Sequence, residues 1–379
     1  MSDKRIGSMN AFKEVKKNFG FGCMRLPLKN GKVDYNEFSK MIDLYLAKGF
    51  NYFDTARVYL EGQSETALRD CLVKRYPRDR FIFTDKLSKS CFNQQEDIIP
   101  LFHKQLESCG LDYFDFYLLH AQNKDLFQKY KRCKAYETVF QLQKEGKIKH
   151  VGISFHDQAE VLDEILDEYP SIEVVQIQLN YVDYDDKAVQ SRLCYEVCAK
   201  HNKPVIVMEP VKGGNLANLP LEAKKYIDEL HGGSPASYAI RFAMGFKNVF
   251  MVLSGMSNLS QMEDNLSFAV DYKSLNEKEM EALKQVCKTF KSMHLIPCTG
   301  CRYCVDGCPK KIAIPNLFSC LNSKTIYHDW NANYYYNEVY TKANGKASSC
   351  IKCGRCEKSC PQHLPIRSLL EEVANEFEK

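Results

Sequence analysis

No run of about 18 apolar residues occurs in the chain, which removes an ordinary membrane-spanning helix from consideration. Charge of one sign is also lacking. The 52 basic residues stand against 48 acidic ones, and the resulting +4 is too weak and too mixed to suggest nucleic acid as a partner. The opening MSDKRIGSMN is polar and has no apolar core of a secretion signal, so a cytoplasmic protein is expected, with no membrane partner. No G-x-G-x-x-G occurs, and FGFGCMRLP offers only a glycine pair in a turn. The usual mark of a doubly wound dinucleotide-binding sheet is therefore absent.

What is present begins with alternation. At 379 residues the chain exceeds the size at which one core usually stops growing, so two domains are expected. Up to about residue 270, eight short strand-like runs alternate with helix-length amphipathic segments. The runs are FGFGCM (19–24), NYFDT (51–55), FIFTDK (81–86), FDFYLLH (114–120), IKHVGIS (148–154), VVQIQLN (174–180), PVIVME (204–209) and VFMVLS (249–254). Most are continuously apolar, as strands buried on both faces should be. Between them YNEFSKMIDLYLAKG reads as a helix closing on Gly49, and QSETALRDCLVKRY as another. Strand count and length predict an α/β fold of the (β/α)8 TIM-barrel class over residues 1–290. Residues 291–379 are expected to form a small, mostly helical second domain.

The second feature is cysteine, of which there are 17. Eight fall in CTGCRYCVDGCP and CIKCGRCEKSCP, each reading C-x2-C-x2-C-x3-C-P. In the bacterial two-cluster ferredoxin pattern the fourth cysteine ligates the other cluster. On that rule Cys298, Cys301, Cys304 and Cys360 hold one 4Fe-4S cluster, and Cys350, Cys353, Cys356 and Cys308 hold a second, which makes residues 291–379 a ferredoxin-like iron–sulfur domain by expectation. Zinc is the structural alternative, since C-x2-C pairs also make tetrahedral sites, but the third cysteine and the C-P ending argue for iron–sulfur. The nine remaining cysteines show no paired spacing and read as reduced, mostly buried thiols.

The expected carboxyl ends of the second, third and fourth strands carry Asp54 with Tyr59, Lys86, and His120. The intervals from Asp54 to Lys86 and on to His120 are each about one βα unit, so the groups should meet on one rim. A Tyr hydroxyl can give its proton to a carbonyl oxygen as hydride reaches the carbon. A nearby ammonium would lower the Tyr pKa, a carboxylate would place that ammonium, and a His would orient the substrate. Taken singly, each group has an ordinary reading: Asp54 as a turn cap, Lys86 as a solvated charge, His120 as a rim histidine.

NYFDTARVY, TDKLS and DFYLLH together resemble the tetrad segments of the aldo-keto reductases, and GFGCMRLP and HVGIS are also similar to that family. The resemblance covers about residues 15–270. It implies Tyr59 as general acid/base, Lys86 and Asp54 as its activators and His120 as the substrate-orienting group. It implies an NADP or NAD cofactor bound in extended form, with Ser154 and Gln176 near the carboxamide and Asp264 and Asn265 near the adenine, or else capping the last barrel helix. Met208 stands where an aromatic commonly stacks on nicotinamide, and Phe155 where Asn is common. Gly255, Met256 and Gln261 stand where many members place cations around the 2′-phosphate, so the resemblance singles out neither NADPH nor NADH.

Nicotinamide passes two electrons as hydride, whereas a cluster passes one. A flavin would join the two, and no flavin site is evident. The leading expectation is an NAD(P)H-dependent oxidoreductase acting on a small carbonyl or alcohol substrate, with an electron-relaying cluster domain and a redox protein partner. A non-catalytic nucleotide- and redox-sensing regulator, or an electron-transfer module with the barrel as scaffold, are the alternatives.

Overall fold

A computed structural model describes residues 12–327 and 331–378. Its strands are β1 (Phe19–Gly22), β2 (Leu28–Lys29), β3 (Lys32–Val33), β4 (Tyr52–Asp54), β5 (Ile82–Leu87), β6 (Phe114–Gln122), β7 (Ile148–Phe155), β8 (Val174–Gln178), β9 (Val205–Met208) and β10 (Val249–Gly255). β2 and β3 form a separate antiparallel ribbon. The other eight close into a parallel barrel in the order β1-β10-β9-β8-β7-β6-β5-β4. These are the eight apolar runs of the sequence, and the (β/α)8 expectation holds. Their burial explains the absence of strict alternation: every residue of β5 and β8 is buried.

Packing inside the barrel is aromatic and tight. Phe12, Tyr52, Phe116 and Phe250 share one cluster with Ile82, Leu118, Val174 and Ile206. Phe12 meets Phe116 edge-on at 4.9 Å. Gly152 is required on β7, because a Cβ there would lie 2.5 Å from Val174 Cγ1 and 2.7 Å from Leu118 Cδ2. Nearby, His150 is clasped between Glu14 and Glu173, each at 2.7 Å.

The helix Tyr35–Ala47 starts on Asp34, whose carboxylate accepts from the N–H groups of Asn36 and Glu37. It stops ahead of Gly49, which takes a left-handed φ of 82°. The second expected helix is helical over Gln63–Leu68 and then widens into a π-turn over Arg69–Val73. Among the described residues no helix is long and apolar enough to cross a membrane.

By compactness the chain divides into two units. One comprises the chain through Pro210 together with Ala236–Leu275, and the other Val211–Pro235 together with the chain from Asn276 onward. This division is not a single cut near residue 290. The segment after β9 joins the second unit because its helix Leu221–Asp228 packs on the helix Glu277–Ser292. Ala223 and Ile227 are buried on the former, Ala282, Leu283 and Val286 on the latter.

The second unit is helical. The spacer between the cysteine motifs contains Ile314–Tyr327, Asn331–Tyr334 and a π-turn Tyr335–Tyr340, and the chain closes with the helix Ile366–Phe377. Leu317, Phe318, Tyr336, Leu370 and Val373 are the heart of its core. Tyr336 stacks on Phe377 with centroids 4.7 Å apart.

Candidate functional site

Strand register brings the four rim residues together. Asp54, the last residue of β4, is in register with Thr84 of β5. Lys86 lies two residues beyond Thr84, on the same face. Lys86 is in register with Leu118 of β6, and His120 lies two residues beyond that. Tyr59 enters from the turn Tyr59–Gly62, where Leu60 and Glu61 adopt left-handed φ values of 50° and 57°. All four side chains are buried.

Lys86 is the hub. Its Nζ donates to Asp54 Oδ1 at 2.6 Å and to the Thr55 carbonyl at 2.8 Å, and lies 3.1 Å from the Tyr59 hydroxyl. The second oxygen of Asp54 accepts from Gln176 Nε2 at 3.2 Å. Neither the solvated-charge reading of Lys86 nor the turn-cap reading of Asp54 fits these partners. His120 faces Tyr59 edge-on, centroids 6.0 Å apart, and its Nδ1 is 2.8 Å from Ser88 Oγ.

Electrostatics set the protonation states. Burial pushes the Tyr59 phenol well above its ordinary value of 10, and the charge of Asp54 adds to the rise. From sequence alone, the neighbouring ammonium of Lys86 is expected to lower this value. In the buried site the net direction is upward, because lost hydration dominates. Burial, and after it Lys86, holds His120 well below its ordinary 6.5, so the ring is neutral. Burial also raises Asp54, and Lys86 opposes that rise. Behind the rim, Asp85 Oδ1 accepts from the Lys86 backbone N–H at 2.7 Å. Asp85 is raised by burial and then by Glu65, so the Asp85–Glu65 carboxyl pair favours a shared proton.

The remaining residues fall into two groups. Ser154, on β7, accepts from the Ala121 N–H at 3.0 Å and is in register with Gln176. Met208 closes β9, half-buried and in register with Gln178, and Gly255 ends β10 beside Gly22. Gln261, Asp264 and Asn265 lie on the helix Leu259–Ala269, whose cap is Asn258, so the capping alternative for Asp264 and Asn265 is corrected. The Gln261 side chain accepts from the Ser257 N–H at 2.8 Å, and Asn265 Nδ2 donates to Ser254 Oγ at 2.8 Å.

Two residues at this end escaped the sequence reading. Ser88 was hidden in a polar loop, and only its place two positions after Lys86 could have marked it. Gln178 stands two beyond Gln176 on the same face of β8. Its buried Nε2 has no hydrogen-bond partner among the described residues, which suits a site that receives a polar group.

In the second unit the eight motif cysteines line two small cavities. One is lined by Cys298, Cys301, Cys304 and Cys360, together with Gln362, Thr299, the exposed Arg302 and apolar residues. The other is lined by Cys308, Cys350, Cys353 and Cys356, among others. Each set draws three cysteines from one motif and the fourth from the other. Burial pushes the Cys304 thiol up, followed by the charges on Cys301, Cys298 and Cys360. Four sulfurs so crowded suit a cationic metal centre. Of the nine other cysteines, seven are buried and Cys91 and Cys287 partly so; no disulfide occurs among the described residues.

Residues 18–288 match the Aldo/keto reductase family, and residues 297–365 match the 4Fe-4S dicluster domain. Among curated proteins, the chain is 27% identical over 228 residues to glyoxal reductase of Bacillus subtilis, covering 59% of this chain and 73% of that one. It is 26% identical over 302 residues to an aldo-keto reductase of Mycobacterium avium, covering 77% and 96%. An aldo-keto reductase from Klebsiella pneumoniae solved in complex with NADPH is similar at a TM-score of 0.58 and 18% identity, covering 72% of this chain and 95% of that one. The holo form of an aldo-keto reductase from Bacillus halodurans gives 0.56 and 23%, covering 71% and 91%. At these identities the structural likeness speaks for the fold.

Proposed function

The chain belongs to the aldo/keto reductase family, and from that premise we propose that it interconverts a small carbonyl and its alcohol with NADPH or NADH. Such an oxidoreductase would be joined to an electron-relaying 4Fe-4S domain. The observation that carries the reading is the Lys86 ammonium, held between the Asp54 carboxylate and the Tyr59 hydroxyl in a buried site.

Nicotinamide, when bound, supplies the hydride in reduction and takes it in oxidation. Tyr59, kept protonated by its surroundings, gives its phenolic proton to the substrate oxygen, and in the reverse direction its phenolate takes that proton back. Lys86 stabilises the phenolate left behind, and Asp54 holds Lys86 in place through an ion pair that needs no solvent. Neutral His120, braced by Ser88, orients the substrate oxygen. Ser154, Gln176 and Met208 would hold the nicotinamide end, with the unpaired amide of Gln178 beside them. Gly255, Gln261, Asp264 and Asn265 would hold the adenosine end.

The cysteine sets would each hold one 4Fe-4S cluster; in sequence a cluster domain of residues 291–379 would follow a barrel domain of residues 1–290, with the segment Val211–Pro235 of the latter packed into the cluster-bearing unit. Two clusters in one small domain suit a relay to a redox protein partner. The test uses protein purified without oxygen, with NADPH and NADH oxidation followed against a panel of small aldehydes. Tyr59→Phe should lower aldehyde turnover by about 10²–10⁴-fold; unchanged turnover sinks the assignment. Replacing Cys301 and Cys353 by Ala should abolish reduction of a one-electron acceptor while aldehyde reduction survives. Nucleotide binding without turnover of any carbonyl would point to the regulator instead.

A further inference from the structure

We propose that Lys212 and Gln362 form a hydrogen-bonded relay that donates to a sulfur of the cluster held by Cys298, Cys301, Cys304 and Cys360. The relay raises that cluster's reduction potential above that of the second. The inference rests on the reading that the two cysteine sets hold clusters.

Gln362 follows Cys360 and Pro361 and lines the first cavity. It is 5% exposed, and its Nε2 is buried with no hydrogen-bond partner among the described residues. Its Oε1 accepts from Lys212 Nζ at 3.3 Å. An ammonium can only donate, so it selects the amide oxygen and fixes which way the NH2 group points. The consequence is a donor-only group set in the wall of a cavity lined by four sulfurs. A thiolate-bound cluster offers the acceptor that this donor lacks.

Lys212 itself is 1% exposed. Burying an ammonium is costly unless negative charge lies near it, and four thiolates around a cluster supply that charge. The surrounding loop is shaped to keep Lys212 in position. Lys212 and Gly213 take left-handed φ values of 49° and 67°. A Cβ on Gly213 would lie 2.3 Å from the Thr299 carbonyl oxygen, so only glycine allows the loop to rest on the residue after Cys298. Asn215 Nδ2 donates to the Cys298 carbonyl at 3.0 Å.

The second cavity has no such device. Its lining includes no side-chain amide, its cations Lys310 and Arg355 are exposed, and so is Cys353. Exposed charges are screened by water and salt, whereas a buried donor and a buried cation act at close to full strength. Hydrogen bonds to sulfur and nearby positive charge both stabilise the reduced form, which carries one more electron. The first cluster is therefore the better electron acceptor of the two.

The experiment is a potentiometric titration of the full-length, anaerobically purified holoprotein, followed by electron paramagnetic resonance, with iron and sulfide assayed on each sample. Gln362→Leu and Lys212→Met should each move one midpoint potential to a more negative value and leave the other where it was. Gln362→Glu, nearly the same shape but an acceptor, should move the same midpoint further, and it carries the test if the Leu variant loses iron. Lys212→Arg should restore most of the shift seen with Met. Full iron content with both midpoints unmoved in Gln362→Glu and Lys212→Met overturns the relay. Wild-type protein that takes up no iron overturns the cluster reading beneath it.

Discussion

The barrel rim and the cysteine cavities both crowd ionisable groups into buried space, and they do so in opposite ways. At the rim the crowded groups differ in sign: Lys86 meets Asp54 at 2.6 Å and lends its remaining donors to Thr55 and Tyr59. That arrangement is complete without anything added. In the cavities the crowded groups are alike, and the Cys304 thiol is pushed up first by burial and then by three neighbouring sulfurs. The first kind of site is organised by strand register and precedes its ligand. The second is organised by local cysteine spacing, and it becomes favourable only when a cation enters.

The largest effect that could break this contrast is metal removal. Chelation of iron under reducing conditions should abolish the cooperative unfolding transition of the second unit, while the barrel keeps its own. Thermal unfolding followed by far-ultraviolet circular dichroism, on holo and stripped protein, reads both; two unaltered transitions would show that the cavities are also self-sufficient.

A second effect lies in the pH profile of the proposed carbonyl reduction. Tyr59 is shifted up and His120 down, so neither changes charge between about pH 6 and 9, and kcat/KM for reduction should vary by less than about threefold there. Alcohol oxidation needs the Tyr59 phenolate and should climb with pH across the same range, approaching about tenfold per unit. A reduction rate that falls steeply near pH 7 would mean that another group donates the proton.

The smallest effect concerns the clasp of His150 in the barrel. Burial disfavours its charge, but hydrogen bonds and attraction from Glu173, with help from Glu14, outweigh that and raise its pKa above the ordinary 6.5. A raised folded value means stability that is fully present below about pH 6.5 and lost as pH rises through the higher folded value. Glu173 is shifted the other way, so its share is present above about pH 4.5 and lost on acidification. Denaturant midpoints should fall between pH 6 and 9, and His150→Gln should remove that slope at a cost of roughly 1 kcal/mol at pH 6.

The strands were readable because burial on both faces forces continuous apolar runs, and the rim tetrad because a period of about one βα unit repeats in Asp54, Lys86 and His120. Ser88 and Gln178 were not readable. Their importance comes from lying two positions along a strand or its extension from a residue already singled out, and serine or glutamine alone advertises nothing. The direction of the Tyr59 shift was missed for a related reason: the sequence names the neighbouring ammonium but not the depth at which the phenol is buried. Lys212 and Gln362 stand 150 positions apart and meet only because the segment after β9 packs with the cysteine region.

That same segment changes what the molecule can lose. Because Val211–Pro235 belongs to the second unit while both its flanks belong to the first, the backbone passes from one unit to the other three times. The iron–sulfur part is thus not an appendage that one stop codon could prune. Ending translation near residue 290 would strip the cover from Lys212, Gly213 and Asn215 and leave a half-built fragment stitched into the reductase. Any exchange of this module between proteins would have to carry both pieces together.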